Sequence, residues 1–268
     1  MDRSDRNRTS PFAFTGNKFE FRMPGSAQSI AGVNVVLNTI LAAQFEEFAD
    51  ELEKEKDLSA GISRIIKRVM TEHGRIIFNG NNYSEEWVEE AEKRGLLNLK
   101  STIDALPLLT SEKNIKLFES QNVFTERELR SREEIYTETY CRLVNIEAMT
   151  MLDIATEQIL PAAIKYKGEL VKVAENSIKI GVPAGTETEM ATTLAHLIGS
   201  ANQKTAALRT ALEKAHKTGE HISGGRCFCD EVLPAMSALR AVCDELELNT
   251  AKEYWPLPSY GDILFSIY

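Results

Sequence analysis

Asn17-Lys18-Phe19-Glu20-Phe21-Arg22-Met23-Pro24 is where this chain changes character. Polar and apolar residues alternate through it, the period-two pattern of a strand with Phe19 and Phe21 on one face. Lys18, Glu20 and Arg22 then share the opposite face, alternate residues standing about 7 Å apart. The residues before it are cationic, with Arg3, Arg6 and Arg8, and punctuated by Pro11 and Gly16; Pro24 and Gly25 close the segment. From Ser29 onward the period changes and the chain reads as helix.

Ile30, Val33, Leu37, Ile40, Leu41, Phe45, Phe48 and Leu52 recur at helical spacing. Ile62, Ile65, Ile66, Val69 and Met70 mark a second helix ending near Gly74. A turn-rich stretch, Phe78 to Tyr83, precedes a short helix through Trp87 to Arg94 and Gly95. Thr125 with Glu128 and Ser131 with Glu134 fit N-terminal capping boxes. They lead into a long apolar-periodic run from Leu143 to Ile159, which Pro161 is expected to kink or divide. Thr186 with Glu189 opens the next run, whose threes and fours suit paired antiparallel helices. Val232 to Leu246 forms the last, and the tail from Trp255 to Phe265 reads as extended, since Pro256 and Pro258 oppose helix. The fold class predicted is mainly α: a remnant of an α+β domain over residues 1–105, then long antiparallel helices and an extended aromatic tail over 106–268.

The bulk numbers limit the function. With 31 basic and 40 acidic residues the net charge is -9, which opposes general binding to nucleic acid or anionic membranes. The apolar stretch from Ile30 to Ala43 is interrupted by Asn34, Asn38 and Thr39 and is too short to span a bilayer. MDRSDRNRTS lacks the apolar core of a secretory signal, so the expected location is cytoplasmic. Cys141, Cys227, Cys229 and Cys243 read as free thiols; the C-x-C of Cys227 and Cys229 near His221 is a weak metal signal.

The strand is the part with convergent charge. One reading is an exposed strand with alternating surface charges. The other is a site for an anionic substrate and a metal: Glu20 offers oxygen to a hard divalent ion, and its cationic neighbours hold phosphate oxygens. One carboxylate does not make a metal site, so further ligands must come from elsewhere.

Asp5-Arg6-Asn7-Arg8-Thr9-Ser10 followed by Asn17 to Pro24 resembles the late active-site signature of glutamine synthetases, an R-N-R-S-type stretch ahead of an R-x-E-x-R strand. The intervening Ser10-Pro11-Phe12-Ala13-Phe14-Thr15-Gly16 looks like the type III branch. Phe78-Asn79-Gly80, Tyr83-Ser84-Glu85-Glu86-Trp87, Glu90 to Leu96, Ile146 to Met151 and Trp255 to Asp262 extend the resemblance along the chain. It implies that Glu20 is a ligand of an active-site Mg2+ or Mn2+. Arg8 would contact the nucleotide phosphate, and Arg22 the transferred phosphoryl group or the glutamate-derived intermediate. Lys18 stands where many relatives have arginine and would act as a point charge. A further arginine that many relatives carry after the R-N-R-S stretch has no counterpart; Ala13 and Phe14 stand there. The implied reaction is ATP-dependent ligation of ammonia to glutamate through an acyl phosphate, in an intact enzyme that assembles as a dodecamer. Because the other metal carboxylates and the nucleotide pocket precede this region in the family, the chain by itself is expected to be inactive. The competing expectation is a non-catalytic helical oligomerisation or protein-interaction module.

Overall fold

A computed structural model describes residues 12–14, 19–21, 29–78, 80 and 84–265; for 12–14, 19 and 20 it describes the backbone alone. The chain is mainly α, as the periodicity predicted. Two short strands, β1 (Phe12–Phe14) and β2 (Phe19–Phe21), pair antiparallel. The remaining elements are helices, grouped in two compact units: residues 1–100 with 107–131, and residues 101–106 with 132–268.

The first unit contains β1, β2, α1 (Ala31–Leu52), α2 (Leu58–His73), α3 (Glu85–Lys93) and α5 (Glu112–Ser120), and α1 touches both α2 and α5. Asp57 starts α2 by accepting the amides of Ser59 and Ala60 at 3.0 and 3.2 Å, which satisfies donors left free at a helix start. Arg68 reaches from α2 to Glu47 and Glu51 of α1. The phenyl ring of Phe78 lies 4.5 Å from the indole of Trp87, and the Arg94 guanidinium stands 6.0 Å from each ring. Arg94 also donates to the carbonyl of Ile77 at 2.8 Å and pairs with Glu90 at 2.6 Å. Gly95, at φ +69°, ends α3 in the left-handed region that glycine enters without a Cβ clash.

The second unit holds α4 (Thr102–Ala105), most of α6 (Glu126–Asp153), α7 (Leu160–Lys179), α8 (Gly185–Thr218), α9 (Ile222–Cys227), α10 (Leu233–Asn249) and α11 (Tyr260–Phe265). α7 and α10 both pack along α8, the longest helix described. Leu194 and Leu208 of α8, with Val232, Leu239 and Leu246, are wholly buried in one continuous cluster. Burying each such side chain is worth about 1.5–3 kcal/mol.

Pro161 neither ends nor divides its helix. The chain widens into a π-helical turn over Ile154–Ile159, where the Leu160 amide reaches back to the Ala155 carbonyl. The same solution recurs over Phe228–Val232, where the Leu233 amide reaches the Phe228 carbonyl just ahead of Pro234. Proline has no amide to offer the carbonyl four residues earlier, and a five-residue reach passes over that gap. Ile159-Leu160-Pro161-Ala162 and Val232-Leu233-Pro234-Ala235 are thus two copies of one sequence device.

Three expectations are corrected. The box of Thr125 and Glu128 does cap α6, the two side chains bonding at 2.9 Å and the Glu128 amide reaching the Thr125 hydroxyl at 3.3 Å. Ser131 and Thr186, however, lie inside α6 and α8 and start nothing. The tail is not extended throughout: Ser259 and Asp262 form a cap of their own, the Asp262 carboxylate accepting from the Ser259 amide at 2.8 Å and from its hydroxyl at 2.6 Å, and residues 260–265 become α11. Pro256 and Pro258 precede that cap, where their missing amides cost a helix nothing.

Candidate functional site

The β1–β2 ladder is the frame of the expected site. Its register pairs Phe12 with Phe21, Ala13 with Glu20 and Phe14 with Phe19. Positions 12, 14, 19 and 21 therefore fall on one side of the ladder and positions 13 and 20 on the other. Glu20 holds a central position in β2, opposite a small residue, while the Phe21 side chain is exposed. The side chain of Glu20 and all of Arg8, Lys18 and Arg22 lie outside the described residues. A hard divalent ion takes about six oxygen ligands, and among the described residues no group of three or more His, Cys, Asp or Glu is placed to hold a metal. A single carboxylate would be one ligand of a larger set, not a site by itself.

The remaining polar clusters tie helices together. Arg226 of α9 donates to Asp104 of α4 at 2.5 Å, and the Ser101 hydroxyl donates to the same carboxylate at 2.6 Å. The Ser101 hydrogen bond, with Arg226 behind it, holds the Asp104 carboxyl below its usual range. Arg142 of α6 bridges Glu138 at 3.2 Å and Glu220 at 2.9 Å, and His216 of α8 bonds Asn145 at 2.7 Å. Lys214 pairs with Glu231 at 2.6 Å across α8 and the second π-turn.

Cys227 and Cys229 do not share a ligand. Two residues apart on a helix they point about 200° apart. Burial, then Glu231, pushes the Cys227 thiol up, whereas Cys229 hydrogen-bonds Tyr140, whose hydroxyl is pushed up by burial first and by Cys229 next. All four cysteines are free thiols, as read from the sequence. An open groove of about 550 Å³ beside the start of α8 is lined by Ile178, Ala184, Thr188, Glu189, Thr192 and His196; Glu189 is the single carboxylate in that lining, and no lysine or arginine joins it.

The motifs that carried the resemblance outside the strand have structural uses. Phe78, Trp87 and Arg94, from three of them, meet in the stack that fixes α3. Ala148 is buried in the core of the second unit and Met151 packs against it, while Met149 is half exposed. Trp255 and Leu257 dock on the same core. The clamp between Asp104 and Arg226 escaped the sequence reading, because two exposed-looking charges 122 residues apart carry no periodic signal.

Comparison with known proteins identifies the class first. Residues 61–178, from within α2 to near the end of α7, match the family model described as the glutamine synthetase C-terminal domain. Beyond that span, the chain is similar over 98% of its length, at 37% identity, to the type-3 glutamine synthetase of Dictyostelium discoideum. It is 34% identical over 99% of its length to the glutamine synthetase of Butyrivibrio fibrisolvens, and 32% identical over 99% to that of Bacteroides fragilis (strain YCH46). The resemblance to the C-terminal part of type III glutamine synthetases thus holds along nearly the whole chain. The chain spans 37–38% of the length of these relatives.

Proposed function

We propose that this chain is the C-terminal segment of a glutamine synthetase and contributes one edge of its active site. The observation that supports this is similarity over 98% of the chain to a type-3 glutamine synthetase, together with a two-stranded ladder that carries Glu20 at its centre. Residues 1–105 are proposed as the end of an α+β catalytic domain and 106–268 as the family's helical C-terminal domain.

In the first step a glutamate side-chain carboxylate oxygen bonds to the terminal phosphorus of ATP, and the bond to the ADP oxygen breaks. In the second, the nitrogen lone pair of ammonia attacks the acyl carbon; phosphate leaves with the bonding pair, and a proton is lost. Glu20 would supply one oxygen ligand to Mg2+ or Mn2+, whose chemistry is to neutralise charge on the phosphoryl oxygens. Arg8 would hold the nucleotide phosphate, Arg22 the phosphoryl group in transfer, and Lys18 a phosphate oxygen as a point charge. Their shared task is to meet charge as it develops, the largest electrostatic demand of phosphoryl transfer. One carboxylate cannot retain the metal, so the chain by itself is expected not to turn over.

Glu20→Gln tests the assignment in a polypeptide that has synthetase activity. It keeps shape but removes the charged oxygen, so turnover at saturating Mg2+ falls by at least about 100-fold while helix content is unchanged. Unchanged turnover removes Glu20 from the metal site. Cytoplasmic location and self-association, to a dodecamer, complete the proposal; no described helix is long and apolar enough to cross a membrane. The second reading, a non-catalytic helical interaction module, is favoured by the large apolar residues exposed on α1 and α2.

A further inference from the structure

α1 and α2 are built inside out. α1 carries apolar residues around its whole circumference, the composition of a helix surrounded by protein. Yet Thr39 is the single buried residue among its positions, and Val36, Ile40 and Phe45 are exposed, Phe45 by 63%. α2 is amphipathic, with Arg64, Lys67 and Arg68 on its polar side. Ile62, Ile66 and Met70 form a row at intervals of four, 42–57% exposed. The charged edges are the ones used internally: Arg68 pairs with Glu47 and Glu51, and Arg64 with Glu55. A soluble helical hairpin ordinarily does the reverse, closing its apolar stripes and leaving its charges to water. α8 of the second unit follows that rule and buries seven residues.

A bilayer does not fit this face. A net charge of -9 repels anionic headgroups, and no described helix can span. The relatives supply the occupant. Each matches this chain almost end to end, yet the matched part is 37–38% of its length, so each carries further polypeptide covalently joined to the matched region. A cover tethered in the same chain acts at high effective concentration and needs no separate encounter.

Resting on the synthetase reading above, we propose that the apolar faces of α1 and α2 are an intramolecular interface. Their occupant is the part of a glutamine synthetase polypeptide that lies outside this chain, so that α1 is an interior helix of the working enzyme. The row Ile62, Ile66 and Met70 is its centre and the exposed residues of α1 its flank.

Amide hydrogen exchange tests this on two samples: the chain alone, and the same residues within a polypeptide carrying the remainder of a type-3 glutamine synthetase. In the longer polypeptide, α1 and α2 should exchange at least 100-fold more slowly, with α8 unchanged. Ile62→Glu with Ile66→Glu should abolish the difference. If the chain alone aggregates, the comparison is made within the longer polypeptide, where the double variant should speed α1 exchange at least tenfold. Equal exchange in either comparison overturns the interface. Protection in the chain alone that grows with concentration also overturns it, by making the occupant a second copy. Synthetase activity is read on the same long polypeptide. Protection without activity would discard the catalytic reading and keep the interface; activity without protection would do the opposite.

Discussion

Asp262 shows how one side chain sets a local boundary. Its carboxylate accepts from the Ser259 hydroxyl and amide and lies 3.2 Å from the Lys252 ammonium. These partners, the Ser259 hydroxyl foremost, lower its pKa from 3.8 to about 2. A depressed folded-state pKa means that the ionised form is the one the fold stabilises, so the contribution is complete above about pH 4. It disappears as pH falls through about 2, the value in the folded state. An NMR titration of the Ser259 amide should show its inflection near pH 2; in Ser259→Ala, the Asp262 inflection should move up toward the ordinary carboxylate range. An inflection already at the ordinary value in the unmutated protein would mean that the cap does not form in solution. The pattern Ser-x-x-Asp was visible in the tail, but the two prolines before it drew the reading toward an extended chain. A capping pair decides a helix start more strongly than a proline that sits outside it.

At the scale of elements, periodicity located α1, α2, α3, α6, α8 and α10, because burial of one face writes itself directly into spacing, whereas α4, α5, α7, α9 and α11 were not read from it. What spacing could not show is how a helix passes a proline. At one end of each π-turn two adjacent residues join the core, Ile159 with Leu160 and Cys227 with Phe228. The strand at residues 19–21 was legible from the five-residue alternation of Lys18 to Arg22; its partner β1 was not, since Phe12-Ala13-Phe14 is too short to signal alone. The junction between α8 and α9 gives a prediction of its own. Gly219, at φ +90°, turns the chain back so closely that a Cβ on Gly224 would land against the Gly219 carbonyl oxygen. Backbone cannot yield as a flexible side chain does, so Gly224→Ala should cost about 3 kcal/mol. Urea denaturation followed by circular dichroism measures it; a loss below about 0.5 kcal/mol, the range of ordinary surface changes, would show that the junction can open.

The whole molecule divides unevenly. The second unit has a core cluster running through α6, α7, α8 and α10, while the first buries Thr39, Gly61, Ile65, Phe118 and Leu129 among its described residues. Apolar area removed from water sets both the stability and the heat capacity of unfolding. Calorimetry of the isolated chain should therefore show two transitions, the second unit melting at the higher temperature and with the larger enthalpy. A single transition with equal calorimetric and van't Hoff enthalpies would mean that the units unfold as one. The candidate site was legible only in outline at this scale. Glu20 could be placed on a strand from local alternation, but a metal site is assembled from residues distant in sequence, and their convergence leaves no local period.

The greasy circumference of α1 also matters during synthesis. A helix that finds no cover within its own unit is what holdase chaperones bind and proteases clear, so the steady level of such a polypeptide follows how quickly the helix is enclosed. In a cell, substitutions that make Val36 and Ile40 polar should let the chain accumulate in soluble form; an unchanged soluble level would show that α1 is not what limits it.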